Sequence, residues 1–165
     1  MRTRTMLALL TCVTAFAITA AANDSQTERV SLTGLTTISV VVEELSAVAQ
    51  KNGLSTATVE TEVQRRLQQA GISVTSDADA YLYVHVTVAD AGSSLPLPYV
   101  IDVALMQEVT LPRGLKTRTP LQSQTWWVNS LGLTGPDRLR TAVSDKVNEF
   151  VDQFIRAYRS VNPKP

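Results

Sequence analysis

Residues 80–90 read AYLYVHVTVAD. Leu82, Val84, Val86 and Val88 take every second position, with Tyr81, Tyr83, His85 and Thr87 between them. Successive side chains along a strand point to opposite faces, so this period of two predicts a strand with one aliphatic face and one aromatic, polar face.

Downstream, residues 99–111 repeat the pattern, with Tyr99, Ile101, Val103 and Leu105 against Val100, Asp102, Ala104 and Met106. A third strand is expected in LQSQTWWVNSL (121–131), whose inward set is ambiguous. AGSSLPLP (91–98) reads as a hairpin loop stiffened by Pro96 and Pro98, and PRGLKTRTP (112–120) as a basic loop marked by Gly and Pro. Connections this short imply an antiparallel meander. Upstream, LTTISVVVEEL (35–45) is β-branched and nearly continuous, which suits a fairly central strand.

Two helices flank these strands. Val59, Val63, Leu67 and Ala70 recur at helical spacing after a Ser55 or Thr56 cap, and Gly71 stands where a left-handed residue ends a helix. GISV then leads into a short strand or turn. Near the C-terminus, Gly135-Pro136-Asp137 opens a helix carrying the stripe Leu139, Val143, Val147, Phe150, Val151, Phe154 and Tyr158. The order β-α-β-β-β-β-α predicts an α+β two-layer sandwich: a mostly antiparallel sheet of four to five strands, with both amphipathic helices on one face.

The N-terminus is set apart. Arg2 and Arg4 precede the apolar run Met6–Ile18, and Ala20-Ala21-Ala22 offers the small residues a signal peptidase requires. The run is shorter than the ~20 residues a bilayer span needs. Residues 1–22 are therefore expected to be a cleaved signal peptide, 23–33 a flexible lead-in, 34–162 one domain and 163–165 a tail. Lipidation at Cys12 is disfavoured, because Thr11 is bulky and the cysteine stands early in the apolar run. Export to a bacterial periplasm follows, with an extracellular location as the alternative and no membrane-spanning segment in the mature chain.

The chain has 15 Lys and Arg against 15 Asp and Glu. Losing the leader removes two arginines, leaving a weakly acidic chain with no electrostatic case for nucleic acid. It also removes the single cysteine, and with it disulfides, thiolate metal sites and cysteine nucleophiles. No pattern asks for a cofactor or a metal. His85 is the one histidine, mid-strand between valines and without a nucleophile turn such as G-x-S-x-G, so an ordinary half-exposed strand residue is expected. Asp77 and Asp79 lack the glycine and distal glutamate of a calcium loop. Glu43 and Glu44 point opposite ways in a strand and cannot act as paired acids.

Trp126 and Trp127 cannot both enter one core from a regular strand. One of them should join Tyr81, Tyr83, His85 and Met106 on the second sheet face, forming a candidate partner-binding surface. Tyr, Trp and Met are the residue types enriched where proteins meet partners. The expected function is a non-enzymatic envelope module that docks on an envelope protein or on itself. A carrier of a small apolar ligand or lipid is the alternative, and a hydrolase using His85 comes third. A β-bulge near Trp126, a helix across the second face or the N-terminal segment folding over would each remove the clue.

Overall fold

The computed structural model describes residues 24–90, 96–110 and 121–163. The expected leader with Cys12, residues 91–95 of the Pro-containing loop and residues 111–120 with their basic cluster lie outside the described residues.

The elements run α1 (Gln26–Val30), β1 (Thr37–Val42), α2 (Ala47–Lys51), α3 (Thr56–Gln69), β2 (Ser73–Val74), β3 (Tyr81–Val88), β4 (Leu97–Val109), β5 (Leu121–Thr134), a 3-10 turn at Pro136–Arg138 and α4 (Leu139–Val161). Five strands form one sheet in the order β2-β1-β3-β4-β5. β3, β4 and β5 make the expected antiparallel meander. β1 pairs in parallel with both its neighbours, Ser39 opposite Tyr81 and Thr37 opposite Ser73. Because α3 carries the chain back to the start of β1, β2 and β3 both leave in the same direction as β1. The β-branched run Val40-Val41-Val42 fits such a strand, flanked on both edges.

α3 and α4 cover one face. Val59, Val63 and Leu67 of α3, and Leu139, Val143, Val147, Phe150, Val151 and Phe154 of α4, close over Ile38, Leu82, Val84, Ile101, Val103, Leu105, Trp126 and Val128 of the sheet. Arg66 of α3 reaches Asp152 of α4 at 3.0 Å, and Arg159 donates to the Ala70 carbonyl at 2.9 Å, pinning one helix beside the other. α3 ends at Gly71, whose φ of +82 is the left-handed conformation read from the sequence. Among the described residues no helix is long and apolar enough to cross a membrane.

Two expectations need correction, and one element was not foreseen. The lead-in 23–33 is not loose from Asp24 onward: Ser25 and Glu28 form a capping box on α1, and Leu32 is fully buried. Residues Ala47–Lys51, which carry no amphipathic stripe long enough to read, form the short helix α2 under a Ser46 cap. Pro98 is inside β4, opposite Leu133, rather than in a loop. It is tolerated there because it stands at the last rung of the β3–β4 ladder, where its carbonyl still accepts from the Ala89 amide at 3.0 Å and only a terminal donor is lost.

Candidate functional site

The register of the meander decides what the second face of the sheet carries. Tyr83, Ala104 and Trp127 lie in one row across β3, β4 and β5, and His85, Asp102 and Asn129 in the next. Trp126, opposite Leu105, turns the other way. It is fully buried, meets Phe154 edge-on at 5.2 Å between ring centroids, and donates its indole N–H to Asp24 at 3.1 Å. A bulge does occur, at Thr125, where Leu105 faces Trp126 but Met106 faces Gln124. It inserts one residue before the pair and leaves the two rings on opposite faces. Trp126 is therefore removed from the candidate face, and Trp127 stays on it, half-buried.

Tyr81, Tyr83, His85 and Met106 are also half-buried on this side. Between Tyr83 and Trp127, Ala104 keeps only 4% of its surface, so the two rings nearly close over it. Around them stand Val41, Leu131 and Leu133, exposed by 42, 77 and 68%. No helix among the described residues covers them. The face departs from an ordinary solvated sheet surface, on which polar side chains alternate outward.

Its polar groups are of one sign. Tyr83 donates its hydroxyl to Glu43, the residue just past β1. That bond, with some burial and the adjacent carboxylate charge, pushes the phenol up to about 12. Glu43 also lies 3.6 Å from Nε2 of His85, and Asp102 lies 3.7 Å from its Nδ1. The rings of Tyr83 and His85 stand 6.3 Å apart. Through Thr37, Ser39, Val41 and Glu43, then β3, β4 and β5, the described positions of this face hold Glu43, Asp102 and Glu108 and no lysine or arginine.

Chemistry beyond binding finds little support in this geometry. Thr87 Oγ1 is 3.0 Å from His85 Nε2, so hydroxyl, imidazole and Asp102 follow the order of a nucleophilic triad. All three sit on paired strands, where backbone N–H groups are committed to the ladder, and among the described residues no pair of donors converges on a developing oxyanion. Among the described residues no group of three or more His, Cys, Asp or Glu side chains is placed to hold a metal ion. Asp77 accepts from Ser76 at 3.1 Å, ordinary turn chemistry. A concavity of about 290 Å³ lies on the helical side, lined by Ser55, Thr58, Arg140, Thr141, Ser144 and Asp145 among others. Gly53, Leu54 and Val59 complete its walls, so it mixes apolar with hydroxyl-bearing and charged side chains.

No protein-family model matches this chain, and no curated protein matches it either. One solved structure to which it is similar is rare lipoprotein B from Shewanella oneidensis, at 12% identity and a TM-score of 0.33, over 76% of this chain and 96% of that one. A likeness this low carries no argument, so function rests on the face itself.

Sequence reasoning brought Tyr81, Tyr83, His85 and Met106 to one side but missed Glu43 as a member of the cluster. Its signal was present in the strand pattern, which puts Glu43 on the side of Ser39 and Val41. The parallel pairing of β1 with β3 is what carries that side to Tyr83.

Proposed function

We propose that this chain is an exported, non-enzymatic interaction module of the bacterial envelope, acting in the periplasm, and that its open sheet face receives a partner polypeptide presenting arginine or lysine. The observation that carries this reading is the uncovered surface of Tyr81, Tyr83, Trp127 and Met106 flanked by Glu43 and Asp102, with no cation of its own among the described residues. Arginine and lysine suit such a surface twice over. Their charge answers the two carboxylates, and their cationic heads stack on tyrosine and tryptophan rings for about 0.5–1 kcal/mol each at exposed sites. Met106 supplies an adaptable apolar contact beside them. The leader-like N-terminus, with Arg2 and Arg4 before its apolar run, supports a location outside the cytoplasm.

The test is a photo-crosslinking residue at position 83 in cells that make the protein, with the adduct mapped by mass spectrometry. The expected adduct is an envelope protein joined through a segment bearing Arg or Lys, and it should disappear when Glu43 and Asp102 are both changed to Lys. An adduct unmoved by that charge reversal would overturn the cationic-partner reading. A lipid adduct, or crosslinks only within the chain, would overturn docking on this face altogether.

A further inference from the structure

The outer strand β5 is 14 residues long and contains no charged residue and no proline. Long sheet edges of this kind invite pairing with another strand, and proteins usually blunt them with lysine, proline or a covering element. The first half of β5 is attended to. Ser31, just past α1, donates to the Thr125 carbonyl at 3.3 Å, Asp24 takes the Trp126 indole, and the bulge at Thr125 breaks the line. The second half has none of these protections among the described residues, and its two leucines are the most exposed large apolar side chains there.

That second half reads Ser130-Leu131-Gly132-Leu133-Thr134, a sequence symmetric in residue type about Gly132. We infer that β5 pairs antiparallel with β5 of a second copy of this chain, across a two-fold axis at Gly132. In that register each Leu131 faces the other copy's Leu133 on the open face, giving two apolar cross-strand pairs. Glycine opposes glycine at the axis, and hydroxyl opposes hydroxyl at the ends. A two-fold interface must be self-complementary, residue i meeting j while j meets i, and the symmetric segment satisfies this condition in a way an arbitrary edge does not.

Two further features fit the same geometry. The Ser130 hydroxyl is buried and is without a hydrogen-bond partner among the described residues. Buried hydroxyls rarely stay unpaired. The two-fold register sets Ser130 opposite Thr134 of the second copy, where a χ1 rotation gives each hydroxyl a partner. Gly132 is covered from within its own sheet: the Tyr99 ring lies where a Cβ would stand, 2.1 Å from its Cζ. The ring fills the space a side chain would have occupied, while the glycine backbone stays open for close approach. Pairing is confined to this stretch because Pro136 cannot donate and α1 flanks Thr125 at the other end.

The inference is independent of what docks on the face. Sedimentation velocity of the full chain, purified without its leader, tests it directly. The wild type is expected to sediment at twice the chain mass, and a Leu131→Lys/Leu133→Lys variant at the chain mass with an unchanged circular dichroism spectrum. A Leu131→Glu/Leu133→Glu variant should also be monomeric alone, and an equimolar mixture of the two should restore the double mass, because each lysine then faces a glutamate. If the doubly charged variants fail to fold, Leu131→Lys alone serves with Leu131→Glu/Leu133→Glu replaced by Leu133→Glu. A wild type that stays monomeric at about 100 µM, a range where even weak specific dimers populate, overturns the inference. So does a dimer that persists in the lysine variant, or a mixture of opposite charges that stays monomeric.

Discussion

Adjacent in sequence and opposite in orientation, Trp126 and Trp127 should respond to the same substitution very differently. Trp126 is fully buried against Phe154, and its indole is one of two donors to Asp24, the other being Arg29 at 2.8 Å. Truncation to alanine opens a cavity in the helix–sheet layer, for which buried Trp→Ala changes cost about 3–5 kcal/mol. The lost bond to Asp24 adds little, because Arg29 keeps that carboxylate paired. Trp127 is half-buried and leans on Ala104, so the same change forfeits about half of a full burial, roughly 1 kcal/mol. The expected gap is about 3 kcal/mol. With a urea slope of about 2 kcal/mol/M for a domain this size, the two midpoints should differ by about 1.5 M. Trp126→Phe is the milder companion, keeping an aromatic ring on Phe154 while removing the N–H. Indole fluorescence gives a second readout: Trp127→Phe should leave only the shielded, blue-emitting tryptophan, and Trp126→Phe only the one a soluble quencher can reach. Equal midpoint shifts for the two alanine variants, or a larger one for Trp127→Ala, would refute the placement of the pair and with it the composition of the open face.

Three further outcomes follow from single contacts. Tyr83 has its phenol raised to about 12 by its bond to Glu43; that raised value is worth stability in full below pH ~10, lost as pH climbs through the folded value. Glu43→Gln should therefore lower the apparent phenol pKa in an ultraviolet titration and flatten the alkaline fall of the urea midpoint. At Asp24, burial works to raise the carboxyl, but the hydrogen bonds from Arg29 and Trp126 prevail and hold it below its ordinary value. Its contribution is present above the unfolded value and lost as pH falls below about 4, so Asp24→Asn should remove part of the acid dependence of stability, seen as converging midpoints at low pH. Gly132→Ala should displace the Tyr99 ring and cost about 1–2 kcal/mol, while the same change in a Tyr99→Ala background should cost close to nothing; an unaltered cost in that double-mutant cycle would show that the ring is not what the new methyl meets.

Much of this architecture was legible because each long element carries its own period. The alternation of β3 and β4, the stripe of α4 and the glycine after α3 are local signals, and each sits where its pattern placed it. What the pattern lacked was pairing. Nothing within Thr37–Val42 says that β1 lies parallel to β3, so the approach of Glu43 to Tyr83 and His85 could not be read. The tryptophans could be assigned to opposite faces but not to particular ones, since the bulge at Thr125 shifts the phase of β5 relative to β4. The lead-in looked loose because Asn23–Gly34 is polar and short of apolar residues. Its order comes from distant partners, Trp126 for Asp24 and the core for Leu32, which no local window contains.

The last helix also reaches back to the beginning of the fold. Asn162, just past α4, accepts from the Gly34 amide at 2.8 Å and donates to the Leu32 carbonyl at 2.8 Å, while the Tyr158 hydroxyl donates to Leu35. The first of these bonds joins residues 128 positions apart. At synthesis rates of about 5–20 residues per second, on the order of 10 s separates the appearance of its two ends. Until then the α4 stripe does not exist, and the sheet face has only α3 to close against, leaving Trp126 without Phe154. The helix that completes the core is thus made only after every strand of the sheet it roofs.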